Sequence, residues 1–184
     1  MTEQTQFEIA TYKTDLDDMK LILYPDPILD EVMPLVDLTN PGFDPVELKD
    51  RMTKMMLANR GQGIAANQCN LRVSAFVMAS VNDASRLFIN PTIVNASDET
   101  ELSPEGCLSS PGIWMRVARP KVISVHWYDE NLEEQTSNIE SIGARIFLHE
   151  YDHLMGITYK DRVSKMKWDR AVQKKAKVYK KLLK

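Results

Sequence analysis

The sequence predicts an α+β fold in which mainly antiparallel β-sheets surround a central helix. One helical pattern occupies residues 44–60, several short extended segments follow between residues 73 and 128, and two more helical patterns begin near residues 140 and 165. Strands and helices that are segregated along the chain are typical of α+β domains. The 184 residues fit a single domain, in which the polar residues 1–19 are expected to form a partly loose extension.

The helices are predicted from their caps and their apolar periodicity. Asp44 followed by Pro45 is typical of a capped helix start, and Gly61 is expected to end this first helix. The second helix is predicted to begin at Glu140 or Ser141 and to end just before Gly156. The third covers about residues 165–183. The apolar side of the first helix is assigned to Val46, Met52, Met55, Met56 and Ala58, with the methionines as core filler.

The strands are predicted where β-branched and aromatic residues lie between turn-forming residues. These segments are residues 73–79, 87–90, 92–95 and 122–128, separated by Pro, Asn, Asp and Gly.

Charge and cysteine content limit the class of protein. The formal net charge is -3, but residues 164–184 alone carry +8, which leaves -11 for the other 163 residues. The molecule as a whole is therefore not expected to bind DNA. Two cysteines are too few for a disulfide scaffold, and the N-terminus resembles neither a secretory signal nor a transit peptide. No apolar run is long enough to span a bilayer, so we predict a cytoplasmic protein without a membrane partner.

The sharpest local pattern is His149-Glu150-Tyr151-Asp152-His153, within the second predicted helix. Four residues rotate about 400° along a helix, so the two histidines project from one face, about one turn apart. Two such imidazoles can share a metal ion, and Glu150 can act as general base toward a water that the metal activates.

A catalytic metal usually has a third protein ligand. Tyr159 stands where one class of metalloproteases carries a third histidine, and no glutamate follows Glu150. His126 lies in a strand pattern and is more readily a partly exposed sheet residue. Cys107, between a glycine and a leucine and flanked by prolines, is the better candidate. A buried apolar cysteine or a nucleophilic Cys107 remain alternatives.

A third segment, residues 61–68, combines two glycines and two alanines before Gln68. Its glutamine can donate an N–H to an oxyanion, but for this segment taken alone a glycine helix stop before a strand is the favoured interpretation.

Together the three segments resemble the motifs of the peptide deformylase family. The motifs G-φ-G-φ-A-A-x-Q, E-G-C-φ-S and H-E-x-D-H, where φ is apolar, stand at residues 61–68, 105–109 and 149–153. The separations of 39 residues from Gln68 to Cys107 and 42 from Cys107 to His149 also fit. The resemblance covers about residues 20–184 and implies a hydrolase that removes the N-formyl group from the formylmethionine of new polypeptides and releases formate.

The resemblance also implies a role for each matching residue. Ferrous iron is the expected cation, with zinc, nickel or cobalt as substitutes, and Asp152 would support the ligands. The catalytic residues would be Glu150 as acid and base, with Gln68 and the Leu108 N–H for the oxyanion. The metal ligands would be Cys107, His149 and His153. Gly63, Glu105 and Gly106 would position substrate and loop.

Three residues depart from the family pattern: Gln62, Leu148 and Trp114. They affect the expected substrate preference and leave every catalytic position filled. The basic residues of the third helix form a solvated stripe or, as the resemblance favours, a contact with ribosomal RNA. The stripe consists of Lys167, Arg170, Lys174, Lys177 and Lys181, beside an apolar stripe of Trp168, Val172, Ala176, Tyr179 and Leu183.

Two other functions remain open at this point. A metalloprotease that cleaves internal peptide bonds is disfavoured by the missing histidine at Tyr159. A structural metal site in a non-enzymatic domain would normally have four protein ligands, and only three strong ones cluster here.

Overall fold

The computed structural model describes residues 8–9, 14–80 and 85–182, with side chains as far as residue 177. Its helices are α1 (Pro45–Ala58), α2 (Ser141–Leu154) and α3 (Lys165–Leu182). Its strands are β1 (Gly63–Ala65), β2 (Ala75–Ala79), β3 (Ser85–Ala96), β4 (Thr100–Gly106), β5 (Trp114–Pro120), β6 (Val122–Tyr128) and β7 (Glu134–Glu140). The predicted α+β class with mainly antiparallel sheets is confirmed.

The strands form two antiparallel sheets. Five strands follow the order β1-β2-β3-β6-β7, and β4 pairs with β5 in a separate two-stranded sheet. Both faces of β2 are covered, because successive side chains of a strand point to opposite faces. Phe76 packs in one buried cluster with Phe147 of α2, and Val77 packs in another with Met52 of α1. The sheet is therefore held between two helices, and α2 contacts both of its edge strands, β1 and β7, as well as β2.

Helix α1 begins as predicted and ends earlier. The Asp44 carboxylate accepts a hydrogen bond from Val46 N at 2.9 Å, and Pro45 occupies the first turn. The predicted end near Arg60 is wrong, because the helix stops at Ala58 and Arg60 itself adopts a φ of 59°. The prediction for the apolar side is partly wrong: Val46 is half exposed, whereas the unassigned Leu48 is fully buried.

The strand predictions were incomplete. Strand β6 was predicted at its observed bounds, but residues 87–90 and 92–95 belong to one continuous strand, β3. Register shifts lie between Ile89 and Thr92, and Asn90 has a φ of 47°, so an irregularity carries the strand past Pro91 without ending it. Strands β1, β4, β5 and β7 were not predicted.

Helix α3 docks through its first turns. Trp168 is buried and meets the ring of Tyr159 edge to face, with ring centroids 5.7 Å apart. The predicted apolar stripe is wrong beyond this point, because Val172 and Ala176 are exposed. The side chains of Tyr179, Lys181 and Leu183 lie outside the described residues, as does most of the predicted loose extension; within that extension, Leu16 is buried.

Gly156, directly after α2, closes the connection to the N-terminal segment. It has a φ of 66°, and a Cβ there would lie 2.6 Å from the carbonyl oxygen of Asp30. We expect Gly156→Ala to lower the free energy of unfolding by about 2 kcal/mol, because backbone strain and the clash add. Urea unfolding would measure the loss. Gly112→Ala is the control, since Gly112 has a φ of 77° and open space around it. Equal losses in the two variants would refute a contribution from the clash.

Candidate metal centre and cleft

Three predicted metal ligands meet in the structure. His149 and His153 lie one turn apart on α2, with ring centroids 5.1 Å apart, and both are buried. Cys107, directly after β4, has its Sγ 3.2 Å from His153 Nε2. One ligand atom from each residue can be chosen so that all three lie within 4.8 Å of one another. Over the described residues, this group has no fourth His, Cys, Asp or Glu.

The third histidine of the chain takes no part in this group. His126 lies on β6 and its Nε2 is 2.7 Å from Glu134 Oε1. Its prediction as a partly exposed sheet residue is confirmed.

The imidazole of His149 is oriented by a carboxylate. Its Nδ1 is 3.0 Å from Glu105 Oε2, so Nε2 is the nitrogen that can bind a cation. Burial opposes a charge on His149, but hydrogen bonds with Cys107 and Glu105 raise its pKa to about 10. Burial, reinforced by the charge of His149, holds the pKa of His153 well below its ordinary value, so that imidazole is neutral. Neutral imidazole is the form that binds metals, and a cation at this centre would displace the proton of His149.

Glu150 lies beside the group with one oxygen unused. The side chain is buried, and its Oε2 has no hydrogen-bond partner among the described residues. Burial raises the pKa of Glu150 to about 7, with a smaller contribution from Glu105, against the lowering effect of His149. A carboxylate with this pKa can both accept and donate a proton near neutral pH.

Gly63 of β1 is the residue that makes room for Glu150. A Cβ at this position would lie 2.4 Å from Glu150 Oε1 and 2.8 Å from its Cδ. No side chain fits there without moving the carboxylate, so the glycine sets how closely β1 approaches the acid.

Gln68 is held with its amide N–H directed at the thiol. Its Oε1 accepts a hydrogen bond from Ala65 N at 2.9 Å. Its Nε2 donates to Cys107 Sγ at 3.4 Å and to Ser109 Oγ at 3.1 Å. Leu108 follows the cysteine and lies close to Gly61, where a Cβ would be 2.7 Å from Leu108 Cδ1. The first and second motifs are therefore in contact.

Glu105 anchors a buried ion-pair network. Arg119 of β5 binds it with Nε to Oε1 and Nη2 to Oε2, both at 3.0 Å, and Arg145 of α2 donates to Oε1 at 2.7 Å. Burial alone would raise the pKa of Glu105, but hydrogen bonds with His149 and Arg119 lower it to about 2. Neither arginine was predicted from the sequence as part of the site. One signal was present: Arg145 precedes His149 by four residues, so it lies on the same face of the helix as His149.

The group lies at a cleft of about 790 Å³. Its lining includes Gln68, Glu150 and the two departures Gln62 and Trp114. The residue Trp114 is 69% exposed. Its ring carbons lie 3.2–3.3 Å from where a Cβ of Gly106 would be, so this glycine accommodates the ring. The third departure, Leu148, is buried in the core between α2 and the sheet and does not line the cleft.

The site combines a buried thiol, two imidazoles, a free carboxylate and an open cleft. This set of groups is typical of a metal-dependent hydrolase. The model of the family described as polypeptide deformylase matches residues 19–169. This chain belongs to the polypeptide deformylase family.

Individual relatives agree with this assignment. A peptide deformylase of Maricaulis maris is 37% identical over 165 residues, which cover 88% of this chain and 94% of that protein. One of Treponema pallidum is 42% identical over 125 residues, covering 68% and 76%. The crystal structure of peptide deformylase from Ehrlichia chaffeensis has a TM-score of 0.79 and 30% identity, covering 90% of this chain and 99% of that one.

Family membership confirms the predicted reaction. The chain is a metal-dependent hydrolase that removes the N-formyl group from nascent peptides, and formylmethionyl peptides are its substrates. The internal metalloprotease and the structural metal site are thereby rejected. No helix within the described ranges has the length and apolar character needed to cross a membrane.

Proposed function

We propose that Cys107, His149 and His153 are the metal ligands of this deformylase, and that the resident cation is ferrous iron. The observation that carries this proposal is the convergence of the three ligand atoms to within 4.8 Å. A thiolate with two neutral imidazoles suits ferrous iron, zinc, nickel or cobalt, so the last three are substitutes. When bound, the cation supplies Lewis acidity, which polarises the formyl carbonyl and acidifies water.

Glu150 is the proton carrier in this proposal. It takes a proton from the attacking water and returns it to the nitrogen of methionine as the formamide C–N bond breaks. Its free Oε2 and its pKa of about 7 support both transfers.

Gln68 Nε2 and the backbone N–H of Leu108 stabilise the negative charge that develops on the formyl oxygen. The fixed direction of the Gln68 amide, toward Cys107, supports this role. Loss of one such donor typically costs about 3 kcal/mol of transition-state stabilisation.

Substrate would lie along the backbone of Gly63 and Gly106, which both line the cleft. Apolar residues in the lining, among them Ile142 and Ile146, suit the methionine side chain. The Glu105 carboxylate is bonded to two arginines and to His149, which supports a positioning role rather than contact with the peptide.

The test of the proposed centre compares two histidine variants. Protein reconstituted anaerobically with ferrous iron is assayed for formate release from a formyl-Met tripeptide, beside a zinc-loaded sample. We expect His149→Ala to lose both bound metal and activity, and His126→Ala to keep both, since His126 pairs with Glu134 on β6. Full metal content in His149→Ala would reject the ligand set, and higher turnover with zinc would reject iron.

Trp114 is expected to contribute to binding of the peptide substrate. An exposed indole at the cleft wall offers apolar area for a side chain that follows the methionine. Trp114→Ala should lower kcat/KM for formyl-Met tripeptides with apolar later residues about tenfold, mainly through KM. Trp114→Phe should retain most of the activity. An unchanged KM in the alanine variant would exclude the contact.

A cytoplasmic location and a ribosome contact through α3 complete the proposal. Lys167, Arg170, Lys174 and Lys177 are exposed on this helix, and such residues can bind RNA phosphates. Because Trp168 anchors the helix, charge reversal is a cleaner test than deletion. Changing these four residues to Glu should abolish co-sedimentation with ribosomes at low salt, whereas Lys54→Glu on α1 should not. Undiminished co-sedimentation of the fourfold variant would eliminate α3 as the contact.

A further inference from the structure

Asp152 is a buried carboxylate held between two arginines. It lies on α2, one residue before the ligand His153, and its side chain is 6% exposed. Arg119 Nη1 donates to its Oδ2 at 2.5 Å. Arg162 Nε donates to the same oxygen at 2.9 Å, and Arg162 Nη2 also binds Oδ1. Two N–H groups of Arg162 thus meet both carboxylate oxygens, the arrangement that gives arginine its geometric specificity.

Arg119 continues the series toward the metal centre. Its other N–H groups bind both oxygens of Glu105, which in turn bonds His149 Nδ1 at 3.0 Å. The order Arg162–Asp152–Arg119–Glu105–His149 therefore alternates in charge at each step up to the histidine. Its members except Arg162 are buried, so each charge needs compensation, which comes from its neighbours in the series and, for Glu105, also from Arg145.

Arg162 is the outermost member of this series and lies outside the cleft. Its side chain is 43% exposed, and it is absent from the cleft lining. Local structure fixes its backbone, because Arg162 N donates to Tyr159 O at 3.3 Å and Tyr159 is 1% exposed. The turn before it is closed by Thr158 N donating to Asp161 Oδ2 at 2.9 Å. The segment between α2 and α3 thus presents the guanidinium to Asp152.

We infer that Arg162 is a positioning residue for the metal centre, acting through Asp152, Arg119 and Glu105 on the orientation of His149. This inference rests on the proposed ligand role of His149. By engaging both oxygens of Asp152, Arg162 leaves Arg119 free to bind Glu105 in a bidentate manner. Without Arg162, the carboxylate of Asp152 is neutralised by Arg119 alone, and Arg119 is drawn away from Glu105. The imidazole then loses its fixed tautomer and direction, and metal affinity falls.

The positive charge of Arg162 has the opposite effect on the affinity for a metal ion. By Coulomb repulsion alone, its removal would strengthen binding of a divalent cation. Its guanidinium is partly exposed and therefore screened by solvent, and a salt-bridged carboxylate stands between it and the rest of the series. The loss of orientation is therefore expected to prevail, and the sign of the change in affinity distinguishes the two effects.

Arg162→Gln is compared with Arg72→Gln as the matched control. Arg72 also makes two bonds to one carboxylate, at 2.9 and 3.1 Å to Glu31, with a side chain 48% exposed, but it lies away from the cleft. Zinc affinity is measured by chelator competition, the visible absorption of the cobalt-loaded protein reports coordination geometry, and thermal unfolding of the metal-free forms reports stability.

We expect Arg162→Gln to weaken zinc binding about tenfold and to alter the cobalt spectrum, a typical size for loss of support around a ligating histidine. Arg72→Gln should match the wild type in both. Arg162→Lys, which keeps a cation at Asp152, should bind zinc within about threefold of the wild type and carries the comparison if the glutamine variant does not fold.

Zinc affinity in Arg162→Gln equal to or above that of Arg72→Gln would overturn the inference. In either case, wild-type protein that binds one metal and His149→Ala that binds none would leave the proposed ligand set standing. Failure of the inference is thus distinguishable from failure of the metal site.

Discussion

Glu150→Gln is expected to lower kcat for formate release by about 10³-fold while metal content stays at one ion per chain. Glutamine has almost the same shape but cannot accept a proton, and general acid–base catalysis typically contributes about 10²–10⁴-fold. The loss should be large here because a single carboxylate is assigned both proton transfers. Its buried Oε2 has no hydrogen-bond partner among the described residues, so this oxygen is available to take the proton from water.

Metal analysis of the same samples used for the assay decides the interpretation. Glu140→Gln is the control, because Glu140 is an exposed residue directly before the same helix and its side chain makes no capping hydrogen bond. It should retain full activity. Turnover of metal-loaded Glu150→Gln within about tenfold of the wild type would reject Glu150 as the base.

Gly63→Ala is expected to lower kcat/KM by about 10²-fold, again with the metal retained. The new methyl group would stand 2.4 Å from Glu150 Oε1, so either the carboxylate or strand β1 must move by about 1 Å. A displacement of this size at a reacting group can cost about 10²-fold in rate. Gly63 could act by making room for Glu150 or by contacting the peptide directly. This variant is designed to distinguish the two roles.

Gly143→Ala provides the matched glycine replacement. Gly143 lies on α2, outside the cleft lining, and a Cβ there would meet only Ile139 Cγ2 at 3.0 Å. Its activity should stay within about threefold of the wild type, since alanine favours the helix. The crystal structure of Gly63→Ala provides the second check: an unmoved Glu150 together with lost activity would assign the effect to substrate binding instead.

The elements that the sequence predicted best are those with local signals. The cap at Asp44, the apolar run of β6 and the spacing of His149 and His153 each depend on neighbours within one or two turns. Strand β7 was missed because it is exposed and polar at most positions and has no apolar alternation to detect. Strand β4 was missed because Pro104 and Gly106 fall inside it, and its pairing with β5 in a separate sheet is a tertiary effect.

The same distinction holds for the metal centre. The proposed ligands and Glu150 were predicted because motif spacing and a family resemblance point to them. The arginines that bind Glu105 and Asp152 were not predicted, because Arg119, Arg145 and Arg162 come from three different elements and look like ordinary surface charges in the sequence. Only the folded chain shows that Glu105 binds two of them while it holds His149.

The proposed ligands belong to separately built parts of the molecule: two imidazoles on α2, against the large sheet, and a thiol at the end of the small β4–β5 sheet. A bound ion would therefore act as a cross-link between these two halves of the architecture. Resistance to heat and denaturant should then rise with free-ion concentration, by about 2.7 kcal/mol at roughly a hundred times the dissociation constant. Removing the ion with a chelator would therefore lower the stability of the fold as well as abolish the activity.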